Sequence, residues 1–344
     1  MHRNPICATG AAAALKAPTE CQHVDHSDGE QQFAHCCSFA TPTEPARTVR
    51  HRAGPRRPTG TEYRSLQSRR VTKDDLHDFQ RTSFTWEGTR HDVFRRGSGP
   101  AVLVTSEIPG ITPNVANFAR RVCDRGLTVV VPHLLGVPGK AWTWPYVIRT
   151  MAWTCVSREF VSFATGRTSP ATVWLRALAG EEHERCGGPG VGVVGMCLTG
   201  GFALAMMVDE VVLAAVLSQP GLPTAITAAE KRDLGVCPAD LDRVKERVRN
   251  GGVCVLGLRF TGDRLVPAER FQRLRGELGD GFLGVEIDSS PGNPYGLRRS
   301  AHSVLTEDFV DEPGHPTRQA LDQVLDHLTT RLLPGDGARV AESP

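Results

Sequence analysis

Apolar residues along the chain gather in short β-branched runs, separated by longer stretches in which only every third or fourth position is apolar. Residues 101–105, 127–131, 191–194, 211–218, 253–260 and 282–287 are such runs, and runs of this length predict buried parallel strands. Residues 115–125 predict a helix with Val115, Phe118, Ala119 and Val122 on one face and Gly126 as its C-cap. Residues 170–184, 239–250, 267–278 and 317–333 also predict helices, the last with Leu321, Val324, Leu325 and Leu328 on one side. Residues 84–94 alternate loosely and read as a hairpin strand. Strands alternating with helices imply an α/β fold, a doubly wound and mainly parallel sheet with helices on both faces. Ligands bind such sheets beyond the carboxyl ends of the strands. Glu107, His133, Cys197, Asp263 and, after a loop, His302 stand there.

Residues 1 to about 80 carry no sustained period and are rich in Pro, Thr, Arg, His and Gln. They are expected to form a disordered extension (1–80), followed by one domain over 81–334 and a frayed tail at 335–344. Cys21, His23, His26, His35, Cys36 and Cys37 lack the regular short pairing of a zinc site, so neither a metal nor a cofactor is expected. Residues 134–168 hold Trp142, Trp144, Tyr146 and Trp153 with Arg149, Arg158 and Arg167; they read either as a cap over the site or as ordinary helical packing.

Composition changes this picture little. The 344 residues, 40% hydrophobic and 23% charged, suffice for a globular core. A net charge of +2 and basic residues that are nearly all Arg show no concentrated patch for nucleic acid. Ten Cys without a disulfide framework read as reduced thiols. No apolar run approaches the ~18 residues of a membrane span. The expectation is a soluble cytoplasmic protein, a monomer or small homo-oligomer, with a small-molecule partner and neither nucleic acid nor membrane.

The chemistry concentrates at Val191-Gly192-Val193-Val194-Gly195-Met196-Cys197-Leu198-Thr199-Gly200-Gly201, followed by the small-residue run 202–207. This is a strand, a sharp turn and a helix with a nucleophile at the turn, the nucleophile elbow of α/β-hydrolases with Cys in place of Ser. Small neighbours let the helix approach, and its N-terminus favours a thiolate and an oxyanion. A thiol nucleophile needs a base, and the base an orienting carboxylate. Cys197, Asp263 and His302 follow in the chain order nucleophile, acid, histidine. His133 and His315 are rivals flanked by Pro that fit the order or position less well.

Four separated pieces carry a resemblance: Ser106-Glu107-Ile108-Pro109-Gly110, Gly195-Met196-Cys197-Leu198-Thr199-Gly200-Gly201, Gly262-Asp263-Arg264-Leu265-Val266-Pro267 and Ala301-His302-Ser303. Together they resemble the dienelactone hydrolase (carboxymethylenebutenolidase) family of the α/β-hydrolase superfamily, from about Phe84 to Leu333. The resemblance implies a hydrolase for a small ester or lactone, working through an acyl-enzyme on Cys197. It further implies that Glu107 contacts and gates the resting thiol, and that backbone N–H groups of Leu198 and near Ile108 form the oxyanion hole. Two departures stand out. Thr199 occupies a position where the family has Gly, which implies an opened elbow or a Thr side chain in the site. No Arg lies between Ser303 and Asp308, where the family has one for the dienelactone carboxylate; Arg149, Arg298 and Trp144 are the remaining candidates for contacting substrate. The same site also suits an acyltransferase or thioesterase. A non-enzymatic redox or ligand sensor built on Cys197 would need a resolving thiol, with Cys155, Cys186 and Cys254 the candidates.

Overall fold

The computed structural model describes residues 73–156, 168–222 and 225–333. The strands predicted from apolar runs form, since burial on both faces suits β-branched residues. They are β1 (Gln80–Trp86), β2 (Thr89–Arg96), β3 (Ala101–Thr105), β4 (Thr128–Pro132), β5 (Val191–Met196), β6 (Val212–Ser218), β7 (Cys254–Phe260) and β8 (Phe282–Ile287). They make one eight-stranded sheet in the order β1-β2-β4-β3-β5-β6-β7-β8. β1, β2 and β4 pair antiparallel and the remaining neighbours parallel.

The helices are α1 (Pro113–Cys123), α2 (Trp144–Val156), α3 (Pro170–Cys186), α4 (Gly200–Met206), α5 (Ala228–Arg232), α6 (Pro238–Gly251), α7 (Ala268–Leu278) and α8 (Pro316–Leu332). Alternation along each strand sends successive side chains to opposite faces. Val102, Val104, Val194 and Val216 thus pack with α1 and α8, whereas Leu103, Val193 and Ala215 pack with α3, α4, α6 and α7. Thr112 and Ser169, each followed by Pro at the first helical position, cap α1 and α3 with their hydroxyls.

Some expectations need correction. The hairpin read as one strand over 84–94 is two strands joined at Glu87-Gly88, both with positive φ (47° and 80°), a two-residue turn that matches the twist of the strands. Packed chain begins before residue 81: Lys73 bridges to Lys140, and Leu76 and Phe79 are buried. The cap of α1 is Asp124, with Gly126 turning the chain two residues later. The remainder of the expected extension, the Cys/His cluster within it, residues 157–167 and the C-terminal tail lie outside the described residues. Among the described residues no helix is long and apolar enough to cross a membrane.

The chain runs outward from β3 to β4 and then returns to place β5 on the other side of β3. A crevice opens at such a reversal, outside the carboxyl ends of the strands. Glu107 follows β3 and Cys197 follows β5, so the reversal alone brings them to the same crevice.

Candidate active site

Cys197 sits at φ +53°, a left-handed conformation strained for a residue with a Cβ. The strain is held by close packing. A Cβ on Gly195 would lie 2.3 Å from the Thr199 carbonyl oxygen, and one on Gly200 would lie 2.7 Å from Pro220 Cβ. The Gly221 N–H also donates to the Cys197 carbonyl at 3.1 Å. The turn therefore lifts a half-buried thiol above the strand end.

His302 lies beside it. A Cβ on Gly221 would meet Cys197 Sγ at 3.3 Å and His302 Cε1 at 3.4 Å, so thiol and imidazole crowd the same glycine. His302 Nδ1 is 2.6 Å from Asp263 Oδ2, and the other oxygen of Asp263 accepts the Leu265 N–H at 2.9 Å. Both carboxylate oxygens are thus assigned, which fixes the ring. Nε2 is buried and, apart from the Cys197 side chain, has no hydrogen-bond partner among the described residues. Burial pushes the imidazole pKa down, but the negative charge of a Cys197 thiolate and the hydrogen bond to Asp263 outweigh it and hold it well above the usual 6.5. His133 bonds the Gly136 carbonyl and His315 caps α8, so neither rival is bound to Asp263.

The loop carrying His302 is pinned from two sides, by Asp308, which the sequence patterns did not single out, and by Glu107. Asp308 accepts the backbone N–H groups of His302 (2.8 Å) and Ser303 (3.2 Å), and its other oxygen pairs with Arg298 at 2.7 Å. Glu107, buried at the end of β3, accepts from Ser303 Oγ (2.6 Å), Thr306 Oγ1 and Gln219 Nε2 (3.1 Å). The expected contact of Glu107 with the thiol is not among these bonds, because the hydroxyls of the His302 loop occupy its carboxylate. Gln219 (φ +37°) also accepts the Val304 N–H at 3.2 Å, closing the same network. Arg270, fully buried, donates to the carbonyls of Pro220, Glu230, Asp233 and Leu265 and so ties the loop after β6 to the loop bearing Asp263.

Glu307 faces the cleft a few residues beyond His302 and accepts from Thr112 Oγ1 (3.1 Å) and Asn114 Nδ2 (2.7 Å). Burial and the nearby charge of Glu107 push its pKa up to about 7. A carboxyl whose folded pKa is raised stabilises fully below its unfolded value, and that contribution is lost as pH rises through the folded value. Glu307→Gln is therefore expected to raise the melting temperature above about pH 8, with the gain shrinking towards pH 5 in a thermal melting series.

The cleft is lined by Glu107, Ile108, Cys197, Asp263 and His302 on the sheet side and by Trp142, Trp144 and Met151 on the other. Trp142 and Trp144 meet edge to face with centroids 4.9 Å apart. Of the substrate-contact candidates, Trp144 and Arg298 line the cleft. Arg149 does not: it lies on the solvent side of α2, because Tyr146, Val147 and Thr150 take the buried face. Leu198 opens the turn behind Cys197 with its side chain in the core. Cys186 ends α3 and Cys254 begins β7, both at the amino end of the sheet, about the length of a strand (roughly 20 Å) from Cys197. Neither is placed to resolve an oxidised Cys197, and the side chain of Cys155 lies outside the described residues.

Comparison with known proteins adds a family. The family model for the dienelactone hydrolase family matches residues 93–308. Among solved structures, the chain is similar to a dienelactone hydrolase from Anabaena variabilis (18% identity, 74% of this chain and 100% of that chain, TM-score 0.49). It is also similar to a dienelactone hydrolase-like promiscuous phosphotriesterase from metagenomic libraries (14%, 74% and 98%, TM-score 0.47). A thermostable esterase from Pseudomonas putida aligns at 14% identity over 82% of this chain and 94% of that chain, TM-score 0.43. A comparison with curated proteins finds no match. The family match spans well over half of the sequence and contains Glu107, Cys197, Asp263 and His302, and the sheet around them is that of an α/β-hydrolase. The chain belongs to the dienelactone hydrolase family and is a carboxylic ester hydrolase.

Proposed function

We propose that the protein hydrolyses a small ester or lactone through a Cys197-His302-Asp263 triad. The observation that carries this reading is the ordered contact of Asp263 with His302 Nδ1, with the strained Cys197 beside the same imidazole. Asp263 holds Nδ1 as the protonated nitrogen, which leaves Nε2 to take the thiol proton. The thiolate attacks the acyl carbon, and the carbonyl π electrons move to oxygen. Backbone N–H groups of Leu198 and Ile108 receive that oxyanion. The tetrahedral intermediate collapses, the alcohol or enolate leaves with the proton from Nε2, and an acyl-thioester remains on Cys197. Water, deprotonated by Nε2, then releases the acid and restores the thiol.

Glu107 anchors the His302 loop in this reading, since its three hydrogen bonds reach Ser303, Thr306 and Gln219. The aromatic wall of Trp142 and Trp144 receives an apolar part of the substrate. Arg298 is already paired with Asp308, which weakens its claim on a substrate carboxylate.

Intact-protein mass spectrometry during turnover of a p-nitrophenyl ester and of a dienelactone tests the proposal. An acyl adduct is expected, mapped to the peptide containing Cys197 and missing from Cys197→Ala. An adduct on another residue, or turnover without need of Cys197, would overturn it.

A further inference from the structure

Thr199 is the departure in the elbow, and its hydroxyl has a defined place. The side chain is fully buried. Oγ1 accepts the Met196 N–H at 2.8 Å and lies 2.9 Å from both the Thr105 and the Met196 carbonyl oxygens, to one of which it donates. It points beneath the turn, so the expected alternative of a Thr side chain in the site gives way to a buried one. The parallel register of β3 and β5 ends at Thr105 opposite Gly195. The hydroxyl sits one residue further on, and with its one proton on the Thr105 carbonyl it continues the ladder as a side-chain rung between Met196 and Thr105. Below it, Thr105 Oγ1 donates to the Val194 carbonyl at 3.0 Å, a second side-chain tie between the same strands.

This rung joins the two segments that carry the oxyanion donors. Ser106-Glu107-Ile108 leaves the end of β3, and Cys197-Leu198 leaves the end of β5. Glycine at position 199 would have no atom for the rung. We infer that Thr199 is a positioning residue: its hydroxyl sets the spacing between the Ile108 and Leu198 N–H groups, and hence the fit to the developing oxyanion. The inference rests on the Cys197 mechanism proposed above.

Without the hydroxyl, the Met196 N–H and the Thr105 carbonyl must either pair directly or go unsatisfied, and both change the spacing. Displacement of a reacting group by about 1 Å costs on the order of 10²-fold, as does loss of one oxyanion donor. Thr199→Val keeps the shape and removes the hydroxyl, whereas Thr199→Ser keeps the hydroxyl. On a p-nitrophenyl ester, Val is expected to lower kcat by about 10²-fold with KM within about threefold. Ser is expected to stay within about threefold of wild type. Alkylation of Cys197 by iodoacetamide needs the thiolate but no oxyanion hole, so its rate in Thr199→Val is expected to change by less than about threefold. Should Val fail to fold in a thermal melt, Thr199→Ala takes its place with the same expectation. Full kcat in the hydroxyl-free variant, equal loss in Ser and Val, or alkylation falling in step with ester turnover would each overturn the inference. Cys197→Ala in the same assay separates the two claims. Ester turnover that survives in it removes the mechanism and the inference together, whereas its loss beside a fully active Thr199→Val removes the inference alone.

Discussion

Cys197→Ala is expected to lower kcat/KM for ester hydrolysis by about 10⁴-fold or more while the protein stays folded. The thiol is half-buried at the cleft, so its removal leaves no sealed core cavity. Alanine has the same Cβ as cysteine, so the left-handed turn at φ +53° is no worse for it. His302→Ala is expected to fall to a similar floor, and the double variant no further, because nucleophile and base act as a unit. The residual rate reflects substrate binding and the oxyanion donors. A second readout follows from the electrostatics. The negative charge of Cys197 is the leading cause that raises the His302 pKa. In Cys197→Ala the imidazole is therefore expected to titrate at lower pH, which an NMR pH titration of the ring measures. Turnover within about tenfold of wild type, or an unmoved His302 titration, would count against the pair.

The sheet was legible because both of its faces are covered. A strand buried on both sides must be largely apolar, and β3, β4, β5, β6 and β7 stand out for that reason. The antiparallel edge was harder. The turn at Glu87-Gly88 lies inside a run that alternates on both sides of it, so periodicity alone did not divide β1 from β2. Helix α2 escaped clear prediction because it exposes Trp144, Ile148, Met151 and Trp153, leaving no single apolar stripe to read. At the site, residues placed by strand ends were legible: Cys197, Asp263 and Glu107 each follow a strand, and the chain order pointed to His302. The surroundings of Glu107 were not. Its partners Ser303 and Thr306 lie almost 200 positions away in sequence, and a hydroxyl has no periodic signature. Gln219 and Asp308 escaped for the same reason, since a polar residue in a loop reads as solvated until the fold buries it. Thr199 was visible as an anomaly, but only the register of β3 against β5 shows what its hydroxyl joins.

Asp263→Asn is expected to reduce kcat by about 10⁴-fold with little change in fold. The reason lies in how the two carboxylate oxygens are used. One accepts the Leu265 N–H and the other faces His302 Nδ1. An asparagine must offer its carbonyl oxygen to Leu265, which turns its amide N–H₂ towards Nδ1. Nδ1 then becomes the acceptor, the ring proton moves to Nε2, and the nitrogen beside the thiol can no longer take a proton. The substitution also removes a hydrogen bond that raises the His302 pKa, and the imidazolium loses its anionic partner. The thiolate–imidazolium pair should accordingly persist only up to a lower pH than in the wild type. The alkaline limb of the kcat/KM profile is expected to shift towards lower pH, whatever its position in the native enzyme. Asp263→Glu keeps the charge but lengthens the arm, and it is expected to retain the profile with reduced kcat. A pH–rate series on the three proteins reads both effects. An alkaline limb unmoved in Asp263→Asn, with kcat near wild type, would mean that His302 takes its tautomer and charge from elsewhere. A loss of rate without the pH shift would mean that Asp263 orients the ring without stabilising its charge.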